Sequence, residues 1–376
     1  MTYDVAVLGV GGMGSAAAWH LARRGLSVIA IEQHDIAHDR GSSHGLSRII
    51  RLAYFEHPSY VPLLRRAFEL WGELEQASGE KLLHVTGGID AGIPGSRVLE
   101  GSMESCRVHG LPHEVLSAHE VNRRFPAYRL PEGFRAVLQP DAGFLEPEKC
   151  IQAAASLASG LGAQVITGRR VLGWARDGDG ISLYLDGAEV RARQLVVTAG
   201  AWMPKLVPSL AHLLRPERQV VAWFSVSSEA AFAHERFPVF VMQTADGYFY
   251  GFPQHGVPGF KIGKYHHRAE PVDPDGMSRL VDADDEAVLR QCVSSIFPAA
   301  DGPVVRSSTC IFTNTPDEHF IIDRLPEAAE VLVVSACSGH GFKFCSVVGE
   351  VVADLVTTGD TRHDLSLFRL GRFLGR

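Results

Sequence analysis

Residues 3–35, YDVAVLGVGGMGSAAAWHLARRGLSVIAIEQHD, decide the fold. Residues 5–8 are a continuous apolar run suited to a strand buried on both faces, whereas residues 16–21 carry helical spacing and Gly25 stops that helix. Strand, tight turn, helix and second strand make one βαβ unit. Gly9, Gly11 and Gly14 sit in its first turn, and Glu32 ends the second strand. Gly9 permits the sharp turn, Gly11 lets the backbone approach a pyrophosphate and Gly14 lets helix and strand pack closely; the helix N-terminus adds partial positive charge. Glu32 can accept hydrogen bonds from a ribose, and its charge disfavours a 2′-phosphate. A Gly-rich turn alone often has only a packing role. Strand, turn, helix, strand and terminal acid together point to a dinucleotide site.

Working outward, strand-like runs recur at residues 163–168, 194–202 and 331–342; the last two pass from apolar residues into small residues and Gly. Strands of a doubly wound sheet do this where their C-terminal ends face a ligand. Residues 87–101 and 214–308 instead carry alternating patterns such as RQVVAWFSV, GYFYGF and GFKIGKYHH, which read as antiparallel strands. The expected fold is therefore α/β: a Rossmann-like dinucleotide-binding domain with a second α+β substrate domain on an antiparallel sheet. The nucleotide domain is expected from segments 1–85, 146–213 and 309–376, and the substrate domain from 86–145 and 214–308. The charged stretch DPDGMSRLVDADDEAVLRQC, residues 273–292, reads as a solvated loop and helix.

A chain of 376 residues with 46% hydrophobic and 21% charged residues suits two globular lobes, and its formal net charge of −7 gives no reason to expect nucleic acid or an anionic membrane. No apolar run approaches the roughly 20 residues of a membrane span, and the N-terminus enters a strand directly, so a cytoplasmic location is expected. The six cysteines contain no CxxC pair, which disfavours a disulfide framework or a structural zinc; no metal is expected.

Three segments could carry chemistry. In GSSHGLSRIIRLAYFEHPSY, residues 41–60, Arg48 and Arg51 stand three apart and would share one face of a helical turn. Their apolar neighbours suggest burial, and a buried cation needs an anion; with no obvious partner in the chain, a ligand is the expected anion. In RSSTCIFTNTPDEHFIIDRLP, residues 306–326, Cys310 precedes a polar loop, and spacing alone gives it no role beyond packing. In SGHGFKFCSVVGEVVADL, residues 338–355, Lys343 stands where a Gly-rich turn becomes a helix whose first amides already form a positive end.

Taken together, SRIIRLAY, YVPLLRRAFELW, GYFYGFP, CIFTNTPDEHFIID and SGHGFKFCSVVGE make the chain resemble, over nearly its whole length, the monomeric sarcosine oxidase and N-methyltryptophan oxidase family of flavin-dependent amine oxidases. The resemblance implies FAD, attached through its 8α-methyl group to Cys310. It implies that Arg51 and Lys343 bind a substrate carboxylate, that Arg48 and His44 lie near the flavin, that Lys261 activates dioxygen, and that Tyr250 lies on the substrate side. It leaves His266 and His267 as candidates for a substrate-side histidine, with His266 preferred, because KIGKYHHR is one residue longer than the family pattern. The implied cofactor contacts are Gly9, Gly11, Gly12, Met13, Gly14, Glu32, Gln33, Ser42, His44, Arg48, Gly200, Trp202, Cys310, Gly339, Gly341 and Lys343. Val241 or Met242 would line an apolar substrate pocket, and Ser47 stands where members often have Thr. The activity the resemblance implies is oxidative demethylation of an N-methyl amino acid of the sarcosine or N-methyltryptophan type, giving formaldehyde, the free amino acid and hydrogen peroxide with dioxygen as acceptor, by a monomer without nucleic-acid or membrane partners. Alternatives on the same fold are a dehydrogenase, or an oxidase of a cyclic imino acid or fructosyl amino acid. A nucleotide-binding regulator without turnover is the alternative from another class.

Overall fold

A computed structural model describes residues 2–373. The expected βαβ unit is strand Thr2–Leu8, helix Gly12–Arg23 and strand Val28–Ile31, with Glu32 just beyond the last strand. Strand Thr2–Leu8 runs parallel to Val28–Ile31 on one side and to Ala188–Val197 on the other; Gln164–Ile166 and Ala328–Ser335 extend the parallel sheet outward. Val171–Asp177 and Gly180–Leu185 add an antiparallel meander at one edge. Helix Gly12–Arg23 packs against Cys345–Thr357 and Pro147–Gly160, so segments far apart in sequence close one core.

The second large sheet has eight strands. Val304–Asn314, Arg215–Phe224, Phe260–Lys264, Gly247–Phe252, Val239–Thr244, Gly88–Gly92, Arg135–Gln139 and Glu114–Ser117 lie in that order. All neighbours are antiparallel except Val239–Thr244 with Gly88–Gly92. Phe237, Phe240, Phe249, Phe260 and Phe297 form its aromatic core. A small third sheet joins Arg48–Ile50, Gly143–Leu145 and Leu83–Val85. Strand Val304–Asn314 continues across residue 309, where the domain boundary was expected, because it pairs with Arg215–Phe224 along both strands.

Two sequence expectations are corrected. Arg48 and Arg51 do not share a helical face: Arg48–Ile50 is a strand whose side chains alternate, held by pairing with Gly143–Leu145. The charged stretch 273–292 is not uniformly solvated. Its helix Ala283–Ile296 starts at a capping box on Asp282, but Asp285 is fully buried, where it accepts from Nη1 and Nη2 of Arg218 at 2.9 and 2.7 Å. None of the described helices is long and apolar enough to cross a membrane.

Candidate active site

A long cavity runs from the end of strand Val28–Ile31 to the turn before helix Cys345–Thr357. At its first end the backbone does most of the work. Gly9 has φ +92°, and a Cβ on Gly14 would lie 1.8 Å from the Gly9 carbonyl oxygen, so both positions require glycine. A Cβ on Gly11 would meet nothing within 4 Å, leaving open space over the turn. The buried Glu32 carboxylate accepts from the amides of Val10 (2.8 Å) and His34 (3.0 Å). Burial raises its pKa, but His38 and these amides outweigh burial and hold it below the usual carboxylate range. Two acceptor bonds leave lone pairs free for ligand hydroxyls.

The other end is built from side chains. Arg51 is buried and lines the cavity, and its Nη2 donates to Glu56 at 2.9 and 3.1 Å while Nη1 lies 3.5 Å from Asp90. The expectation that its anion must be a ligand is therefore corrected: two carboxylates of the chain already offset its charge, one from five residues on and one from strand Gly88–Gly92. Its Nε, however, has no acceptor among the described residues. Asp90 also accepts from Ser102 Oγ at 2.5 Å, and burial pushes its pKa up to about 6 against the pull of Arg51. Lys343 sits in the 3-10 turn Phe342–Phe344 that leads into helix Cys345–Thr357, and its Nζ donates to the His340 carbonyl at 2.7 Å. Burial, then the like charge of Arg51, lower its pKa to about 7. Both cations lie over the Tyr54 ring, Arg51 at 4.6 Å and Lys343 at 5.2 Å from its centroid.

Most of the residues singled out from sequence come together here. The cavity wall includes Gly9, Gly11, Gly12, Met13, Glu32, Gln33, Ser42, Arg48, Arg51, Gly200, Trp202, Tyr250, Gly339, Gly341 and Lys343. Val241 also lines it, while Met242 points into the aromatic core. Gly14, His44, Lys261 and Cys310 stand behind the wall. His44 is buried with an unpartnered Nε2, and burial lowers its pKa to about 3. Lys261 Nζ donates to Gly45 O (2.6 Å), Ser47 O (3.0 Å) and Ser47 Oγ (2.9 Å). Burial and the nearby Arg48 charge depress its pKa, yet two carbonyls and a hydroxyl meet all three donors of its ammonium form. Cys310 is buried in strand Val304–Asn314; burial raises its thiol pKa while Arg48 and Lys261 act against that.

Neither candidate histidine reaches the cavity. His266 has φ +51° and is paired outside it with Glu217 and Glu318, each at 3.0 Å. These two carboxylates raise its pKa to about 9. His267 is buried against Asp285 at 3.1 Å. The residue before them, Tyr265, lines the cavity instead, 5.3 Å from Tyr250 and 5.8 Å from Phe312 between ring centroids. Sequence reading also missed Glu56 and Asp90. Glu56 was visible as an acid five residues after Arg51, whereas no local signal ties Asp90 to this site.

A family model for FAD-dependent oxidoreductases matches residues 4–355. The chain belongs to that family. It is 39% identical to a monomeric sarcosine oxidase of Bacillus sp. (strain NS-129), covering 98% of this chain and 97% of that protein. It is 33% identical to an N-methyl-L-tryptophan oxidase of Yersinia pestis (strain Pestoides F), covering 99% and 100%. Among solved structures, NikD, described as an unusual amino acid oxidase essential for nikkomycin biosynthesis, superposes with a TM-score of 0.85 at 26% identity over 98% of this chain and 97% of NikD. The site fits the family's cofactor: the open turn at Gly11 and the Glu32 carboxylate suit a dinucleotide at one end, and the unpartnered Arg51 Nε leaves a donor at the other.

Proposed function

We propose that this chain is a flavin-dependent oxidase of secondary amines that demethylates N-methyl amino acids of the sarcosine or N-methyltryptophan type. One observation carries the reading: Arg51 Nε, a buried donor without an acceptor, belongs to a residue lining the same cavity as Lys343. An unsatisfied buried donor beside a second cation suits a carboxylate. Arg51 is pre-aligned by Glu56, so the ligand meets a fixed guanidinium, and holding its carboxylate turns remote binding energy into orientation of the N-methyl carbon. Bound FAD supplies the two-electron acceptor, which dioxygen regenerates. Overall, one secondary amine, one dioxygen and one water give the free amino acid, formaldehyde and hydrogen peroxide. Tyr250 and Tyr265 bound the apolar part of the pocket with Val241 and Phe312.

Nucleotide binding is assigned to segments 1–85, 146–213 and 309–376, and substrate binding to 86–145 and 214–308. Cys310 is assigned as the covalent attachment point, and Lys261 as the cation that stabilises charge developing on dioxygen. The enzyme is placed in the cytoplasm as a monomer. A dehydrogenase reading draws on one observation, that all three Lys261 donors are held by Gly45 and Ser47. Acid precipitation of the purified protein, with Cys310→Ala beside it and a panel of N-methyl amino acids assayed for peroxide, tests the assignments together. A yellow wild-type pellet, a colourless variant pellet and peroxide formed in air are expected. Flavin released from both proteins would sink the covalent assignment, and flavin reduction without peroxide would favour the dehydrogenase.

A further inference from the structure

Away from the cavity, three imidazoles gather around one phenyl ring and one carboxylate. His84 comes from strand Leu83–Val85, Glu146 caps helix Pro147–Gly160, and His255 lies in the loop after strand Gly247–Phe252. His84 Nε2 is 2.8 Å from Glu146 Oε1, and His255 Nε2 is 3.4 Å from Glu146 Oε2. The three ligand atoms lie within 4.8 Å of one another, the one such group among the described residues. A third ring, His234, stands 5.7 Å from His84 and 5.2 Å from His255 between centroids. Phe144 packs against all three, at 4.9, 4.8 and 5.3 Å from His84, His255 and His234. The backbone fixes two of the ligands: His84 is paired across the ladder with Phe144, and the Glu146 amide donates to Leu82 O at 3.0 Å.

We propose that His84, His255 and Glu146 form a binding site for a zinc-class divalent cation, with His234 or solvent as the fourth ligand. Two imidazole nitrogens converging on one carboxylate supply the mixed N and O donors that Zn²⁺ accepts in a tetrahedral shell, whereas Ca²⁺ and Mg²⁺ require mainly oxygen. The two Nε2 atoms approach separate oxygens of the one carboxylate while the third imidazole packs beside both rings, so three imidazoles and a carboxylate converge on one place. Lys149 Nζ, 3.0 Å from Glu146 Oε2, is the competing cation; its side chain is half exposed and can turn to solvent.

An ion here would tie the small third sheet to the start of helix Pro147–Gly160 and to the loop carrying His255. Glu148, two residues from Glu146, accepts from the amides of Gly45 (2.6 Å) and Leu46 (3.1 Å), and the Gly45 carbonyl in turn holds Lys261. The site is thus structural in placement and is linked to the cavity only through Glu148, Gly45 and Lys261 behind its wall.

The test is zinc titration by calorimetry on flavin-loaded protein with any purification tag removed, with thermal unfolding measured alongside. The expected result is one Zn²⁺ per chain, no comparable binding of Mg²⁺, and a raised Tm. His84→Ala and His255→Ala should each weaken binding by at least about 100-fold, since even changes outside the ligand shell cost about 10- to 100-fold. Lys149→Met should tighten it, an effect that a purely hydrogen-bonded cluster would not produce. Absence of stoichiometric Zn²⁺ binding to the wild type, or binding unchanged in the correctly folded His84→Ala/His255→Ala double variant, would overturn the proposal. Neither readout uses amine oxidation, so this inference stands or falls apart from the proposed activity.

Discussion

The two ends of the cavity are made by different means. Around Gly9, Gly14 and Glu32 the site is local backbone geometry: one turn, one helix start and one acid within a single βαβ unit. Around Arg51 and Lys343 it is a set of side-chain charges gathered from distant segments, with Glu56 and Asp90 offsetting a buried guanidinium. At Gly14 the backbone-made site has no room for an added atom, whereas a charge-made site can be tuned in steps through protonation. The nucleotide end should therefore fail abruptly and the substrate end gradually.

The largest effect is expected at Gly14. Gly14→Val places side-chain atoms where a Cβ alone would lie 1.8 Å from a backbone oxygen, so flavin content and folded yield should collapse together. Retention of full flavin occupancy would erase the contrast between the two ends. Next comes Arg51→Ala, which strands Glu56 and Asp90 without their cation and should destabilise the fold by about 3–5 kcal/mol, measured by denaturant unfolding. With substrate, losing hydrogen bonds to a charged group, about 1.5–3 kcal/mol, should lower kcat/KM by about 10- to 150-fold.

Smaller effects sharpen the substrate end. A carboxylate ligand prefers protonated Lys343, whose pKa lies near 7. The inhibition constant of a simple carboxylate such as propanoate should therefore rise above pH 7, by up to about tenfold per unit, and Lys343→Met should flatten that profile. The smallest effect belongs to His266, outside the cavity. Its folded pKa, raised to about 9 by Glu217 and Glu318, gives a stabilisation fully present below its unfolded value of 6.5 and lost as pH rises through about 9. His266→Gln should lower Tm at pH 6 and leave it nearly unchanged above pH 9, with catalysis little altered.

The same contrast explains what could be read from the sequence. The βαβ unit was legible because its signals are local: an apolar run, spaced glycines and an acid at the strand end. Arg51 was legible as a buried cation and Lys343 only through the family resemblance, but the partners of Arg51 were not. Glu56 stands five residues on, in plain view as an acid, yet the helical reading of an extended segment did not bring it back to Arg51, and Asp90 reaches the site only through the pairing of Gly88–Gly92 with Val239–Thr244. The segment after Lys261 shows the limit of counting along a strand. Strand Phe260–Lys264 ends there, so Tyr265 faces the cavity and His266 turns out to its two carboxylates. Asp285 was misjudged for a similar reason: its neighbours are charged and exposed, while Arg218 and His267 draw it inward.

The most direct test of the account is anaerobic stopped-flow reduction of the bound flavin by an N-methyl amino acid and by its methyl ester. If Arg51 and Lys343 anchor a carboxylate, the acid should bleach the flavin rapidly and the ester should lose most of the apparent second-order rate constant. Equal reduction by acid and ester, or no reduction by any N-methyl amino acid, would contradict it.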